Sequence, residues 1–99
     1  MKKILALLVL HLITLNCAIA QTFPDKPVKI VVPYTPGGAT DTLARSIANQ
    51  LSAKWNKPVL VDNRGGASGM IGAEFVAKAP PDGYTLMISD SAPYVILPN

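Results

Sequence analysis

The sequence predicts an α/β protein in which strands and helices alternate in the order β-α-β-α-β. Short apolar runs rich in β-branched residues alternate with segments whose apolar residues recur every three or four positions. Glycine and proline residues mark the joints between these segments. Helices that alternate with strands in this way are typical of βαβ crossovers, so we expect one parallel sheet.

Three strands are predicted. The first lies between Pro27 and Pro33, and its nearly continuous apolar end is typical of a strand that is buried on both faces. The second covers residues 59–61. The third covers residues 84–88 and follows a Pro-Asp-Gly turn at 81–83.

Two helices are predicted between these strands. Over residues 40–55 one apolar residue recurs every fourth position, at Leu43, Ile47, Leu51 and Trp55, with Ala44 and Ala48 beside them. This stripe predicts a helix that faces the core, and we interpret Trp55 as a packing residue rather than a ligand contact. A shorter helix is predicted over residues 71–78, where Ile71 and Phe75 lie one turn apart and Ala73, Val76 and Ala77 fill the packing side.

The first twenty residues have the three regions of a secretory signal. Lys2 and Lys3 precede an apolar run over residues 4–15, and an Ala-Ile-Ala pattern at 18–20 comes before Gln21. A membrane anchor and a lipoprotein acylated on Cys17 are the alternatives. We expect a cleaved signal peptide over 1–20, a folded region over 21–99 and export of that region.

Cleavage after Ala20 would remove both His11 and Cys17, and with them every imidazole and thiol of the chain. A Ser-His-Asp triad, a Cys-His pair and a zinc site with His or Cys ligands are then excluded within this chain. The formal charge also falls from +3 to +1 without the two leading lysines, so a basic nucleic-acid-binding surface has no support. We therefore expect no catalysis, no metal and no nucleic-acid partner.

Binding chemistry is expected where the first strand leads into the first helix, at residues 34–41. The glycines Gly37 and Gly38 let the backbone adopt positive φ and approach a ligand, and the helix dipole there favours a carboxylate or a phosphate. The alternative is a tight turn in which Thr40 or Asp41 caps the helix. The loop is neither a Walker A motif nor a dinucleotide fingerprint, so no nucleotide cofactor is predicted.

A second glycine-rich loop, at residues 63–72, runs from the second strand into the second helix. Arg64 can pair with a ligand carboxylate or form an ion pair with a neighbouring side chain. Ser68 can donate a hydrogen bond to a ligand or cap the helix.

Four ordered motifs give the sequence a resemblance to a known family, the Bug receptors, which are the periplasmic substrate-binding proteins of tripartite tricarboxylate transporters. The motifs are Phe-Pro-Asp-Lys-Pro at 23–27, Val-Val-Pro-Tyr-Thr-Pro-Gly-Gly-Ala-Thr-Asp at 31–41, Pro-Val-Leu-Val-Asp-Asn-Arg at 58–64 with the glycine-rich loop after it, and Ala-Pro-Pro-Asp-Gly-Tyr-Thr-Leu at 79–86. The resemblance covers essentially all of residues 21–99.

The resemblance implies a two-lobed periplasmic binding protein of type II, of which residues 21–99 would be part of the first lobe. It also implies that both loops grip a ligand carboxylate through backbone groups and bridging waters. The implied ligand-binding residues are Tyr34, Pro36, Gly37, Gly38, Asp41, Ala67, Ser68, Gly69 and Ser89. The family usually has proline where Gly65 stands, so we expect a looser second loop, and the end at Asn99 predicts a truncated receptor.

The sequence therefore predicts a receptor that binds a small organic carboxylate and delivers it to the membrane subunits of a tripartite tricarboxylate transporter, without a cofactor. Two alternatives stay open. One is a small α/β enzyme domain that binds a phosphate-bearing ligand at the same helix terminus, and the other is a non-functional remnant of a receptor. The sequence does not select one carboxylate or an oligomeric state.

Overall fold

The computed structural model describes the backbone of residues 1–15 and 22–91, and the side chains of residues 1–11 and 22–91. It contains one helix near the start of the chain and an α/β unit after it. The elements are α1 (Lys2–Leu15), β1 (Val28–Val32), α2 (Ala39–Trp55), β2 (Val59–Asn63), a 3₁₀ turn (Ala67–Gly69), α3 (Met70–Ala77) and β3 (Thr85–Met87). The predicted order of strands and helices is confirmed.

The three strands form one parallel sheet in the order β2-β1-β3. Ile30 of the central strand is level with Val61 on one side and with Leu86 on the other. Val28, Ile30, Val31 and Val32 are all buried, which confirms that β1 is covered on both faces. The sheet is built outward from this strand.

The two later helices cover opposite faces of the sheet. On one face Ile30 and Val32 pack with Ala44 and Ala48 of α2. On the other face the Lys29 ammonium lies 5.6 Å from the ring centroid of Phe75 in α3. Because neighbouring strand residues point to opposite faces, this alternation places one helix on each side of the sheet.

The packing face of α2 is the alanine side of the predicted stripe. Its buried residues are Asp41, Ala44 and Ala48, whereas Leu43 is 54% exposed. Alanine carries only a β-carbon, so this face lets the helix approach the sheet closely, and Ile47 packs beside the two alanines. The helix therefore faces the core as predicted, but Leu43 does not belong to the contact.

The prediction for α3 is right for Phe75, which is half-buried, and wrong for Ile71, which is 52% exposed. The buried residue of this helix is Gly72, which the prediction did not place on the packing side. A β-carbon on Gly72 would lie 2.7 Å from Cβ of Pro33, at the end of β1. The helix therefore contacts the sheet through its own backbone at this point.

Aromatic residues close the opposite end of the sheet, where the strands begin. The ring centroid of Phe23 lies 5.8 Å from that of Trp55 and 4.9 Å from that of Tyr84. The Tyr84 hydroxyl donates to Asp25 Oδ1 at 2.6 Å and accepts from the Asp25 N–H at 3.0 Å. Trp55 thus packs against Phe23 at the far end of α2, as a structural residue would.

The helix α1 exposes a continuous set of apolar side chains, namely Ile4, Leu5, Leu7, Leu8, Val9 and Leu10. Within the described part of the chain, no helix has the length and apolar character needed to cross a membrane. The predicted cleavage pattern at 18–20 and Cys17 lie outside the described residues.

Candidate functional site

Three loops meet at the carboxyl ends of the strands: loop A (residues 33–38, after β1), loop B (residues 64–69, after β2) and loop C (residues 88–91, after β3). In open parallel sheets ligands bind in the crevice outside these strand ends, where the strand order reverses. With β1 in the middle of the order β2-β1-β3, loop A lies between the other two. All of the predicted binding residues except Asp41, in the first turn of α2, belong to these loops.

Loop A ends in a glycine turn that faces open space. Gly37 has φ 101°, and Gly38 is the N-cap residue of α2 in an extended conformation with φ −79°. A β-carbon added to either glycine would meet no atom within 4 Å. Positive φ is therefore needed only at Gly37, and both positions leave room for a ligand beside the helix terminus.

No side chain caps α2, so the predicted capping by Thr40 or Asp41 is wrong in its geometry. Asp41 lies in the first helical turn, and its Oδ2 accepts a hydrogen bond from the Gly37 N–H at 3.1 Å. This bond fixes the glycine turn from inside the helix. The amides at the start of the helix therefore keep their capacity to bind an anion.

The Asp41 carboxylate is almost wholly enclosed, with 7% of its side chain exposed. Oδ2 also accepts from Arg45 Nε at 3.0 Å, and Oδ1 accepts from Asn63 Nδ2 at 2.9 Å. Hydrogen bonds from Arg45, then Asn63 and Gly37, lower the pKa of Asp41 from its ordinary value of 3.8 to about 2. The carboxylate is therefore ionised at neutral pH, and the Arg45 charge beside it balances that negative charge.

Asn63 is the residue of this network that the sequence analysis did not select. Its Nδ2 donates to the Tyr34 carbonyl at 3.3 Å as well as to Asp41, and its Oδ1 accepts from Arg45 Nη2 at 3.2 Å. Its position in the sequence could have indicated this role. Asn63 is the last residue of β2 and pairs with Val32, the residue just before loop A. A polar amide at the carboxyl end of a strand can bond to the neighbouring loop.

Loop B holds four consecutive residues with positive φ: Gly66 at 123°, Ala67 at 50°, Ser68 at 56° and Gly69 at 89°. The Gly69 N–H closes the turn by donating to the Gly66 carbonyl at 3.1 Å. Two non-glycine residues in the left-handed region are energetically unfavourable, and such conformations cluster at ligand-binding sites. The backbone of this turn is therefore held in an unusual shape by its surroundings.

Ser68 is exposed and does not cap α3, whose N-cap residue is Gly69 and has no side-chain cap. Of the two uses predicted for this hydroxyl, the structure excludes the cap. Hydrogen bonding to a ligand stays a prediction.

Loops A and B are packed against each other through Gly65. A β-carbon on Gly65 would lie 3.1 Å from the Thr35 amide nitrogen and 3.3 Å from Thr35 Cγ2. The Arg64 N–H donates to the Val32 carbonyl at 2.8 Å just before this contact. Gly65 therefore gives a close approach between the two loops, where the sequence predicted looseness.

Arg64 is engaged on the α3 side of the sheet. Its Nε donates to Asp62 Oδ2 at 3.0 Å, and its Cζ lies 3.6 Å from the ring centroid of Phe75. The Lys29 ammonium is also within 3.6 Å of Asp62 Oδ2. The structure thus supports the ion-pair interpretation of Arg64 over direct pairing with a ligand.

Loop C reaches back to loop A through Tyr34. The Tyr34 hydroxyl donates to Asp90 Oδ1 and lies 3.4 Å from Ser89 Oγ. The hydrogen bond to Asp90 is the main cause that raises the pKa of Tyr34. Tyr34 and Ser89, both predicted at the site, are therefore in contact, and Pro36 is exposed in loop A.

No group of three or more metal-ligating side chains occurs among the residues that the structure describes. A cavity of about 420 Å³ lies elsewhere, between α2 and the outer edge of β2, and is lined by Arg45, Ala48, Asn49, Val59, Leu60 and Val61. It contains none of the predicted binding residues. The glycine turn of loop A itself faces open space.

Comparison with known proteins decides the family. Residues 43–99 match the sequence profile described as the tripartite tricarboxylate transporter family receptor. The chain belongs to this family. Members of the tripartite tricarboxylate transporter receptor family are solute receptors of transporters and not enzymes, so the enzyme alternative gains no support. The family resemblance seen in the four sequence motifs is confirmed.

Among curated relatives, Protein BugT of Bordetella pertussis is 41% identical over 95 residues, which cover 93% of this chain and 29% of BugT. Among solved structures, the periplasmic binding protein BugD is 46% identical with a TM-score of 0.62, over 66% of this chain and 22% of BugD. This structural match confirms that the α/β unit has the fold of periplasmic binding proteins.

Two further solved structures are complexes with a carboxylate ligand. Rpa4515 of R. palustris with adipate is 51% identical with a TM-score of 0.64, and MatC (Rpa3494) from Rhodopseudomonas palustris with bound malate is 43% identical with a TM-score of 0.62. Each match covers 66% of this chain and 22% of the other. The chain thus spans between a fifth and three tenths of the length of these relatives.

Proposed function

We propose that this chain is an extracytoplasmic receptor that binds a small organic carboxylate for a tripartite tricarboxylate transporter. The observation that carries the proposal is the glycine turn of loop A, which presents Gly37 and Gly38 to open space at the uncapped N-terminus of a 17-residue helix. Backbone N–H groups and the helix dipole favour an anion there. Relatives in complex with adipate and malate support a carboxylate as that anion.

The ligand carboxylate would lie between loops A and B. Gly38 and the first amides of α2 would supply backbone donors from one side, while Gly37, whose N–H is bonded to Asp41, would leave room for the ligand because it has no side chain. Ala67 and Ser68 would supply donors from the other side, and Gly69, whose N–H closes the turn, would hold them in place. Bridging waters can complete such contacts at little cost in affinity. Tyr34, Pro36 and Ser89 would form the rim of the site.

Asp41 has an indirect role in this proposal. A free carboxylate near the helix terminus would repel an anionic ligand, but Asp41 faces inward and is balanced by Arg45 at 3.0 Å. Its hydrogen bond to the Gly37 N–H holds the turn in shape. Asp41 would therefore position loop A and would not touch the ligand.

The location and the partners follow from the same proposal. The exposed apolar side chains of α1 and the two lysines at its start suit an export signal over residues 1–20, and the homologue BugD is periplasmic. The receptor would then act in the periplasm and deliver its ligand to the membrane subunits of the transporter.

The test is a two-dimensional amide NMR titration of the full chain, expressed with export so that any processing occurs. Malate and adipate should shift the amides of Gly37, Gly38 and Ser68, with a dissociation constant on the order of 1 mM for contacts from two loops. The matched control is the neutral diamide of each acid. Equal shifts with the diamides would contradict the proposal.

Two other results would favour the alternatives. Stronger shifts with a nucleotide than with malate would favour a phosphate-binding enzyme domain. Dispersed peaks that respond to neither would favour a non-functional remnant.

The variant Gly38→Ala sharpens this test. The φ of −79° suits alanine, and the added β-carbon would meet no protein atom within 4 Å, so the fold should be retained. The same carbon would occupy the space next to the helix terminus and should weaken malate binding about tenfold or more through lost hydrogen bonds. Gln50→Ala, an exposed position on α2, serves as the control.

A further inference from the structure

The side-chain amide of Asn63 joins three separate elements at the proposed site. It is the last residue of β2, and it bonds to loop A at the Tyr34 carbonyl and to α2 at Asp41 and Arg45. Both N–H groups of the amide and its oxygen are used. Asn63 is half-buried, so these bonds have limited competition from water.

The two oxygens of the Asp41 carboxylate have different hydrogen-bond partners. Oδ1 is held by Asn63, while Oδ2 is held by Arg45 and accepts from the Gly37 N–H. With both oxygens fixed, the carboxylate plane has one orientation, and this orientation places Oδ2 under the glycine turn. Without the bond from Asn63 only Oδ2 would be held, and the carboxylate plane could rotate about that oxygen.

We infer that Asn63 is a positioning residue for carboxylate binding: it orients Asp41, and through Asp41 and the Tyr34 carbonyl it sets the shape of the glycine turn in loop A. This inference rests on the proposed function, in which that turn receives the ligand. Only a side chain with two donors and an acceptor can make all three bonds.

The main test is the variant Asn63→Asp, because it replaces a donor to Asp41 by a second carboxylate. At neutral pH two carboxylates about 3 Å apart repel, and one of the two takes up a proton more readily than usual. The charged groups that face position 63 are Asp41 and Arg45 of α2; the loop A contact is the uncharged Tyr34 carbonyl. Asp62 and Arg64, on either side of Asn63 in the chain, pair with each other.

The full-length variant and the unaltered chain are each titrated with malate at pH 7.5 and at pH 5. At each pH we compare them by the ratio of their dissociation constants, variant over unaltered chain. We expect Asn63→Asp to bind about tenfold more weakly at pH 7.5, as for a lost hydrogen bond to a charged group. The ratio should move towards one at pH 5, where a shared proton restores a donor. The amides of Gly37 and Gly38 should be displaced without ligand and should return with the same pH dependence.

Asn49→Asp is the matched control, since Asn49 is an exposed asparagine on α2. It should leave both the affinity and the Gly37 and Gly38 amides unchanged at either pH. The swapped variant Asp41→Asn/Asn63→Asp restores one donor and one acceptor without a like-charge pair. It should recover part of the affinity at pH 7.5, and it keeps the test available if the single variant does not fold.

Two results would overturn the inference. One is Asn63→Asp binding malate as the unaltered chain does; the other is a loss of affinity that is the same at both pH values with no displacement of the Gly37 amide. If the unaltered chain does not respond to malate, the proposed function fails instead. The ligand-free Gly37 and Gly38 amides of the variants then still decide whether Asn63 positions the turn.

Discussion

Gly72 and Pro33 pack so closely that a β-carbon on the glycine would lie 2.7 Å from Cβ of the proline. The same carbon would lie 3.0 Å from the Arg64 carbonyl oxygen. Gly72 belongs to the start of α3, and Pro33 and Arg64 begin loops A and B. The helix terminus, the central strand and the two loops therefore share one contact that only glycine permits.

The first prediction concerns this contact. Gly72→Ala should destabilise the fold by about 1–3 kcal/mol, because α3 must move away from Pro33 to admit the methyl group. Urea unfolding followed by circular dichroism measures the change. Ala77→Gly, at the exposed end of the same helix, should cost only about 1 kcal/mol from helix propensity. An unchanged or raised stability for Gly72→Ala would contradict the packing described here.

The second prediction concerns the acid stability of the chain. The pKa of Asp41 falls from 3.8 to about 2 on folding, so its ionised form stabilises the folded state above about pH 4. This stabilisation should be lost as the pH falls from about 4 to 2. Asp41→Asn should therefore lower the urea midpoint at pH 7, and the gap between variant and unaltered chain should narrow below pH 4.

Glu74 provides the control for that experiment. Its pKa is also lowered, by hydrogen bonding and charge attraction from Lys78 at 2.7 Å, but both side chains are largely exposed. Exposed pairs of this kind contribute little to stability. Glu74→Gln should thus leave the urea midpoint nearly unchanged between pH 7 and pH 3, and an effect as large as that of Asp41→Asn would contradict the special role of the enclosed carboxylate.

The third prediction concerns alkaline pH. The hydrogen bond to Asp25 raises the pKa of Tyr84 above its ordinary value of 10.0, because ionisation would place two negative charges side by side. This pair should stabilise the fold fully below pH 10 and lose its effect as the pH rises through the raised pKa. Tyr84→Phe should lower the urea midpoint at pH 7 and should make the remaining stability less sensitive to alkaline pH.

Ultraviolet absorbance of the tyrosinate ion gives an independent measurement. The absorbance titration of the unaltered chain should contain a step above pH 10 from Tyr84, and this step should be missing from the titration of Tyr84→Phe. Loss of stability without that change in the titration would mean that the hydroxyl does not pair with Asp25.

The fourth prediction concerns the central strand. Ile30 is 1% exposed, and Ile30→Ala should cost about 2–5 kcal/mol because the cavity cannot close within a small core. Leu60, on the edge strand, is 54% exposed, and Leu60→Ala should cost less than about 1 kcal/mol. Thermal unfolding of both variants tests the contrast, and equal losses would mean that β1 is not the centre of the core.

The sequence predicted the strands and helices to within about two residues because local apolar periodicity fixes them. It included Leu43 in the core-facing stripe of α2, although that residue is 54% exposed, and on α3 it favoured Ile71 over the buried Gly72. Hydrophobic periodicity scores large side chains, whereas close packing on a sheet selects small ones. That choice depends on the distance between helix and sheet, which no local pattern contains.

The site was predicted only where a local sequence pattern marks it. Glycine spacing located both loops, and Gly37 does have the positive φ that was expected. Asn63 was missed because its partner Asp41 is 22 positions away and meets it only through the register of β1 and β2. The left-handed conformation of Ala67 and Ser68 was missed because neither residue type favours it.

The central position of β1 also matters before the chain has folded. Among the described strands it comes first in the chain, so its described partners β2 and β3 emerge after it during synthesis or export. Five residues of Val, Lys and Ile with a single charge form the type of segment that pairs with other chains and aggregates. Pro27 and Pro33 flank this segment and lack a backbone N–H. They therefore limit strand pairing with other chains to the five residues of β1 until β2 and β3 have been made.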